Sequence, residues 1–132
     1  MKFRALQVLF ICASAATWMA CGAGHPTITR LTVAPQMSSA PISPPTDVQF
    51  TVTATFNNND SRELTAADGL TWTSSNAGVA TIGDNGSATC RGVGPATITA
   101  QAPSELNITV NNGIDNTSPK VSGTAQLNCT AD

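Results

Sequence analysis

Charge is scarce in this chain: lysine, arginine, aspartate and glutamate make up only 11% of its 132 residues, against about a quarter in an average soluble protein. Tyrosine is absent and histidine occurs once. That residue, His25, stands in a Gly-Ala-Gly-His-Pro stretch at 22–26, without the fixed partner that a general acid or base needs. No Cys–His pair, Ser–His–acid set, phosphate-cradling glycine loop or paired-carboxylate constellation is visible. The expectation is a protein with no catalytic residue, no cofactor and no small-molecule substrate. Asp60, Glu63 and Asp68 follow a run of asparagines at 57–59 and could gather Ca²⁺. Turn chemistry accounts for them equally well, however, and their spacing fits no Ca²⁺ loop, so no metal site is expected.

What is present begins with a leader. Lys2 and Arg4 form a basic start, and residues 5–20 are apolar apart from Gln7 and a few small polar side chains. Sixteen residues are short of the ~20 that span a bilayer, so residues 1–20 read as a cleaved secretory signal. The signal ends in Trp18-Met19-Ala20-Cys21-Gly22-Ala23. This resembles the lipobox of bacterial lipoproteins, in which the cysteine after a small residue is lipidated and becomes the first residue. The resemblance implies acyl chains on Cys21, a tether over residues 21–27, and a membrane contact made through lipid. Trp18 departs from it, standing where leucine is usual, and an ordinary signal cut near Gly22 or Gly24 is the alternative. Loss of Lys2 and Arg4 leaves four basic against eight acidic side chains, a net charge of −4, which disfavours nucleic acid and anionic membrane surfaces.

Four cysteines are present, and Cys12 leaves with the signal. With Cys21 lipidated, Cys90 and Cys129 remain as an even pair in an oxidising compartment. A disulfide between them is the favoured reading, against two buried thiols or a metal pair. A metal pair would lack further histidine or cysteine ligands.

Beyond residue 27 the pattern is β throughout. Ile28 to Val33 alternates apolar with polar, and Pro35 ends the run. Pro41, Pro44 and Pro45 mark a connection that cannot be a central strand. From Val48 to Phe56 one face carries Val48, Phe50, Val52, Ala54 and Phe56. Glu63-Leu64-Thr65 predicts a short edge strand, and Leu70 and Trp72 alternate inward again. Val79-Ala80-Thr81-Ile82 leads into Asn85-Gly86, a strong hairpin signal. Ser87 to Cys90, Ala96 to Ala100 and Leu106 to Val110 complete seven or eight short strands, the spacing of an antiparallel sandwich.

Five segments in order carry a more specific resemblance: an opening strand closed by proline, the alternating strand through Phe50, Trp72-Thr73-Ser74-Ser75-Asn76, Val79-Ala80-Thr81-Ile82, and Gly94-Pro95-Ala96-Thr97-Ile98-Thr99-Ala100. Together they resemble the bacterial immunoglobulin-like domain of group 2 (Big2). The resemblance implies an all-β, Ig-like antiparallel β-sandwich of about seven strands over residues 28–110; the insertion at 36–46, Cys90 and a tail at 111–132 depart from the family pattern, and a Cys90–Cys129 bridge would pin that tail back onto the sandwich. The resemblance also implies that Trp72 packs between the sheets while Ser74, Ser75 and Asn76 shape a tight turn. The expected core is Phe50, Val52, Phe56, Trp72, Val79, Ile82 and Ile98.

The function expected is that of a non-catalytic, lipid-anchored cell-envelope protein showing one Ig-like module for adhesion or protein contact. Its location would be an outer membrane or cell surface if the host has one. The alternatives are a passive accessory subunit of an envelope complex and a free secreted module. With only Phe50, Phe56 and Trp72 as aromatics outside the leader, all on inward positions, a partner is expected to meet a strand edge or the polar loops.

Overall fold

A β-strand with one buried face must place every second side chain inward, and the first strand does so only after a local correction. In β1 (Ile28–Ala34) the buried residues are Ile28, Leu31 and Val33, and the register shifts between Ile28 and Arg30. That irregularity turns a three-residue spacing into two inward-facing side chains. The computed structural model describes residues 24–106 and 117–131. The further strands are β2 (Met37–Pro41), β3 (Asp47–Gln49), β4 (Thr51–Phe56), β5 (Ser61–Glu63), β6 (Thr71–Ser74), β7 (Ala80–Ile82), β8 (Ser87–Cys90), β9 (Gly94–Pro103) and β10 (Lys120–Thr130). Among the described residues the one helical element is a 3₁₀ turn, Ala66–Asp68.

The ladders run β1-β4-β5, β3-β8-β7 and β2-β10-β9-β6. β3 and β4 are separated by Phe50 alone, so the first two ladders share one strand line and form one face. The four-stranded sheet forms the other, and the architecture is an Ig-like β-sandwich. All pairings are antiparallel except β2 with β10, which is parallel. The chain therefore enters along one sheet as β1, passes Pro35 and joins the edge of the other sheet as β2. β2 lies inside the proline-rich connection and, as a strand ending in Pro41 should, occupies an edge.

The largest departure from expectation lies at the C-terminal end. Residues 120–130, expected within a tail outside the domain, form the longest strand. β10 sits between β2 and β9, its register running from Lys120 opposite Pro103 to Cys129 opposite Gly94. Ala125, Leu127 and Cys129 are buried there. Gly123 allows β1 to cross closely: a Cβ at this position would stand 2.7 Å from the Leu31 carbonyl oxygen. The expected strand from Leu106 to Val110 lies outside the described residues apart from Leu106, which is half-buried.

The core holds Phe50, Val52, Phe56, Trp72 and Ile98 buried, with Val79 and Ile82 half-buried against them. Much of the remainder is alanine: Ala54, Ala80, Ala88, Ala96, Ala100 and Ala102 are all at or below 1% exposure. Among the described residues no polar side chain is buried. Cys90 on β8 and Cys129 on β10 form a disulfide across the two faces, with Cα atoms 5.6 Å apart.

Two hairpins share one design. In the β7–β8 loop Gly83 N–H donates to the Ser87 carbonyl (2.9 Å) and Gly86 N–H to the Gly83 carbonyl (2.9 Å). Ser87 N–H reaches the Asn85 side-chain oxygen (3.1 Å), and Gly86 has φ +79°. In the β4–β5 loop Phe56 N–H donates to the Asp60 carbonyl, Asn59 N–H to the Phe56 carbonyl, and Asp60 N–H to the Asn58 side-chain oxygen. Here Asn59 takes the left-handed conformation, φ 67°. Both are three-residue loops with the αL residue last, a common alternative to the two-residue turn that Asn-Gly often signals.

The two αL positions are predicted to respond differently. Asn59→Gly changes stability by about 0.5 kcal/mol or less, since asparagine tolerates this conformation. Gly86→Ala costs about 2 kcal/mol or more, because the αL penalty adds to a collision of the new Cβ with the Phe50 carbonyl oxygen. Urea unfolding of both variants checks the contrast. The Cys90→Ala/Cys129→Ala pair is predicted to lose about 2–4 kcal/mol, the chain-entropy value for a bridge spanning 39 positions, measured in the same way.

Candidate functional site

A concavity arises where the shared strand line changes partners. Val48 and Gln49 pair with β8, whereas Thr53 to Thr55 pair with β5. Among the described residues, no strand fills the face between β5 and the β7–β8 hairpin. The opening is a groove of about 440 Å³. Its floor is Phe50 and Trp72, whose ring centroids lie 6.4 Å apart. One wall is Leu64, Leu70 and the alanines of the 3₁₀ turn; the other is Gln49 and Asn85. Glu63 and Asp84 stand on it and are exposed.

Each wall is fastened locally. Phe50 N–H donates to the Gly86 carbonyl (2.8 Å), and Gln49 Nε2 bridges to the Asn85 carbonyl (2.7 Å) and the Phe50 carbonyl (3.1 Å). Across the opening, Leu64 N–H donates to the Val52 carbonyl (2.9 Å). The 3₁₀ turn is capped reciprocally by Thr65 and Asp68, Thr65 N–H reaching Asp68 Oδ2 at 2.9 Å. Arg62 then grips Asp68 with both terminal nitrogens, at 2.8 and 3.1 Å. That guanidinium holds the Asp68 carboxyl below its ordinary value; partial burial opposes the effect and the Thr65 N–H reinforces it.

The residues singled out from sequence fall in different places. Trp72 lies in the core at 9% exposure, with only its groove side open. Ser74, Ser75 and Asn76 do shape the following turn: Asn76 N–H donates to Ser74 Oγ, Thr97 N–H to Ser75 Oγ, and Gly78 N–H to Asn76 Oδ1. The three acidic residues considered for Ca²⁺ are dispersed in role. Asp60 bonds Asn58 within its turn, Asp68 bonds Arg62, and Glu63 sits on the groove. No cluster of three or more His, Cys, Asp or Glu that could hold a metal occurs among the described residues. Cys21 and the leader lie outside the described residues, and among these no helix is long and apolar enough to cross a membrane. The exposed large hydrophobics among them are Met37 on β2 and Val93 in the β8–β9 connection.

The sequence pattern gives Phe50, Leu70 and Trp72 as core, Glu63 to Thr65 as an edge strand and Asn85 as a turn, and alternation carries no sign that a sheet parts between them to form a groove.

A family model for the intimin immunoglobulin-like domain matches residues 62–103. That stretch runs from β5 through the 3₁₀ turn, Trp72 and the hairpin to the end of β9, and so includes most of the groove. The match supports a bacterial immunoglobulin-like domain, in agreement with the sandwich. No curated protein matches the chain.

The Arg62–Asp68 pair gives a pH prediction with a definite sign. A carboxyl whose folded pKa is depressed stabilises above its unfolded value of about 3.9, and that contribution is lost as pH falls through the folded value. Asp68→Asn is expected to cost about 0.5–1 kcal/mol at pH 7, the scale of a half-exposed pair. The gap to the parent should close below about pH 4, as read by thermal melts across pH.

Proposed function

We propose that the protein is a lipid-anchored component of a bacterial cell envelope whose single Ig-like module makes non-catalytic protein–protein contacts. The observation that carries the contact reading is the Ig-like sandwich together with its match to an intimin immunoglobulin-like domain, a kind of module that meets other proteins through its surface. The finer assignment to group 2 rests on the Trp72 and Val79-Ala80-Thr81-Ile82 motifs. Anchoring rests on Ala20-Cys21-Gly22 after an apolar leader; two or three acyl chains suffice for a stable anchor.

Geometry supports a short reach. β1 begins at Ile28, so seven residue steps separate it from Cys21, about 25 Å when fully extended. Ile28 N–H bonds the Ser104 carbonyl, which supports a reading in which, with Cys21 as the anchor, the end bearing Ser104 and Lys120 is the membrane-proximal one. The opposite end, with the turn after β6 and exposed Val93, points away. A module held this close meets membrane neighbours more readily than distant surfaces. Trp18 in the lipobox favours one second reading, a free secreted module cut near Gly22 or Gly24.

Intact mass of protein extracted from host membranes tests this. The expected species begins at Cys21 and carries acyl chains, and in-cell cross-linking joins it to another envelope protein. An unmodified chain in the culture medium overturns the anchor, and absence of any cross-linked neighbour overturns the contact reading.

A further inference from the structure

We infer that the groove beneath the parted sheet receives a lysine or arginine side chain of the partner protein, its aliphatic stem on Trp72 and its cation between Glu63 and Asp84. The inference deepens the protein-contact reading and rests on it for the partner being a protein. The groove's own chemistry is what names the side chain.

Its floor is aromatic and its inner wall is Leu64 and Leu70, a surface that takes up methylene groups and leaves polar groups unsatisfied. Its two ionisable lining residues, Glu63 and Asp84, carry the same sign, and no basic residue lines it. Arg62, next to Glu63 in sequence, is committed to Asp68 on the capped turn. A long basic side chain fits both halves of this surface: its stem covers apolar area while its head stays at the wet rim. A carboxylate or phosphate would meet two like charges, and a purely apolar side chain would draw nothing from either carboxylate, both of which stay at the solvent-facing rim. At about 440 Å³ the space lies in the range that binding clefts occupy, roughly 300–1,000 Å³.

The walls are also set in advance. Gln49 is held by two carbonyls, Gly86 by its close approach to Phe50, and the 3₁₀ turn by its cap and ion pair. Binding therefore orders little of the protein, which is the condition under which a single side chain contributes usefully to affinity.

The test uses the protein as purified from cells, with NMR titration by N-acetyl-argininamide, N-acetyl-lysinamide and the uncharged N-acetyl-citrullinamide. Expected are saturable shifts of the Trp72 indole and the Leu64 and Asn85 amides with the two cations, weakening as salt is raised. Citrullinamide should bind at least about threefold more weakly. The Glu63→Gln/Asp84→Asn variant should lose about three- to tenfold in affinity, the scale of two exposed charge contacts. Both positions are exposed, and a melting temperature matching the parent's confirms that the variant is folded; Glu63→Gln alone should give an intermediate loss. Shifts absent from the groove, equal binding of citrullinamide, or unchanged affinity in the double variant would each overturn the inference. These probes need neither anchor nor partner, so failure here leaves the contact reading standing. Loss of cross-linked neighbours with the titration intact would instead strike that reading and leave the groove's chemistry in place.

Discussion

The hydrogen bond from Phe50 N–H to the Gly86 carbonyl carries the β3–β8 pairing one residue past Gln49 and Ser87, to the point where the strand line leaves β8. On one side of Phe50 the strand line pairs with β8; on the other it pairs with β5. The bond forms at the point of change, and it requires a residue without a side chain, because any Cβ on residue 86 would meet the Phe50 oxygen. The strand line stays continuous although its neighbours differ, and the core residues Val52, Ala54 and Phe56 keep the inward phase begun at Phe50. The parting of the sheet, the open side of Trp72 and the hydrogen bonds of Gln49 all lie around this single approach.

Much of the domain was legible because its signals are large side chains at fixed spacing. Trp72, Phe50 and Phe56 declare an inward phase that no alternative register satisfies, since a slip of one residue would bring polar neighbours into the core. The Ser74-Ser75-Asn76 turn was legible for a related reason: short polar side chains at those positions have few uses other than bonding nearby backbone. β10 was missed because its inward residues begin with Val121, Gly123 and Ala125, too small to stand out against a background rich in serine, threonine and alanine. The strand change at Phe50 leaves no trace at all. Period two is preserved from Val48 to Phe56, and only the identity of the hydrogen-bonding neighbour alters.

The alanine-rich core has a physical corollary. Each buried alanine removes little apolar surface from water, so the stability per residue that the core supplies is modest, and small domains with modest cores commonly rely on covalent staples. The position of Cys90–Cys129 suits that need. It joins the middle of one sheet to the far end of the longest strand of the other, where alanines and a glycine dominate the contacts. Its cysteines pair along the strands with Ala40, Ala80 and Gly94, so the covalent bond stands where their strand neighbours are small.

The same bridge turns the segment between Cys90 and Cys129 into a covalently closed ring that contains β9 and nearly all of β10. A single peptide bond cut inside such a ring opens it without releasing a fragment. Each half remains tied to the other through sulfur, and the paired strands have no opportunity to diffuse apart. Against any protease, the ring makes one cleavage in this region a local injury, and only a second cut or a reductant converts it into loss of mass.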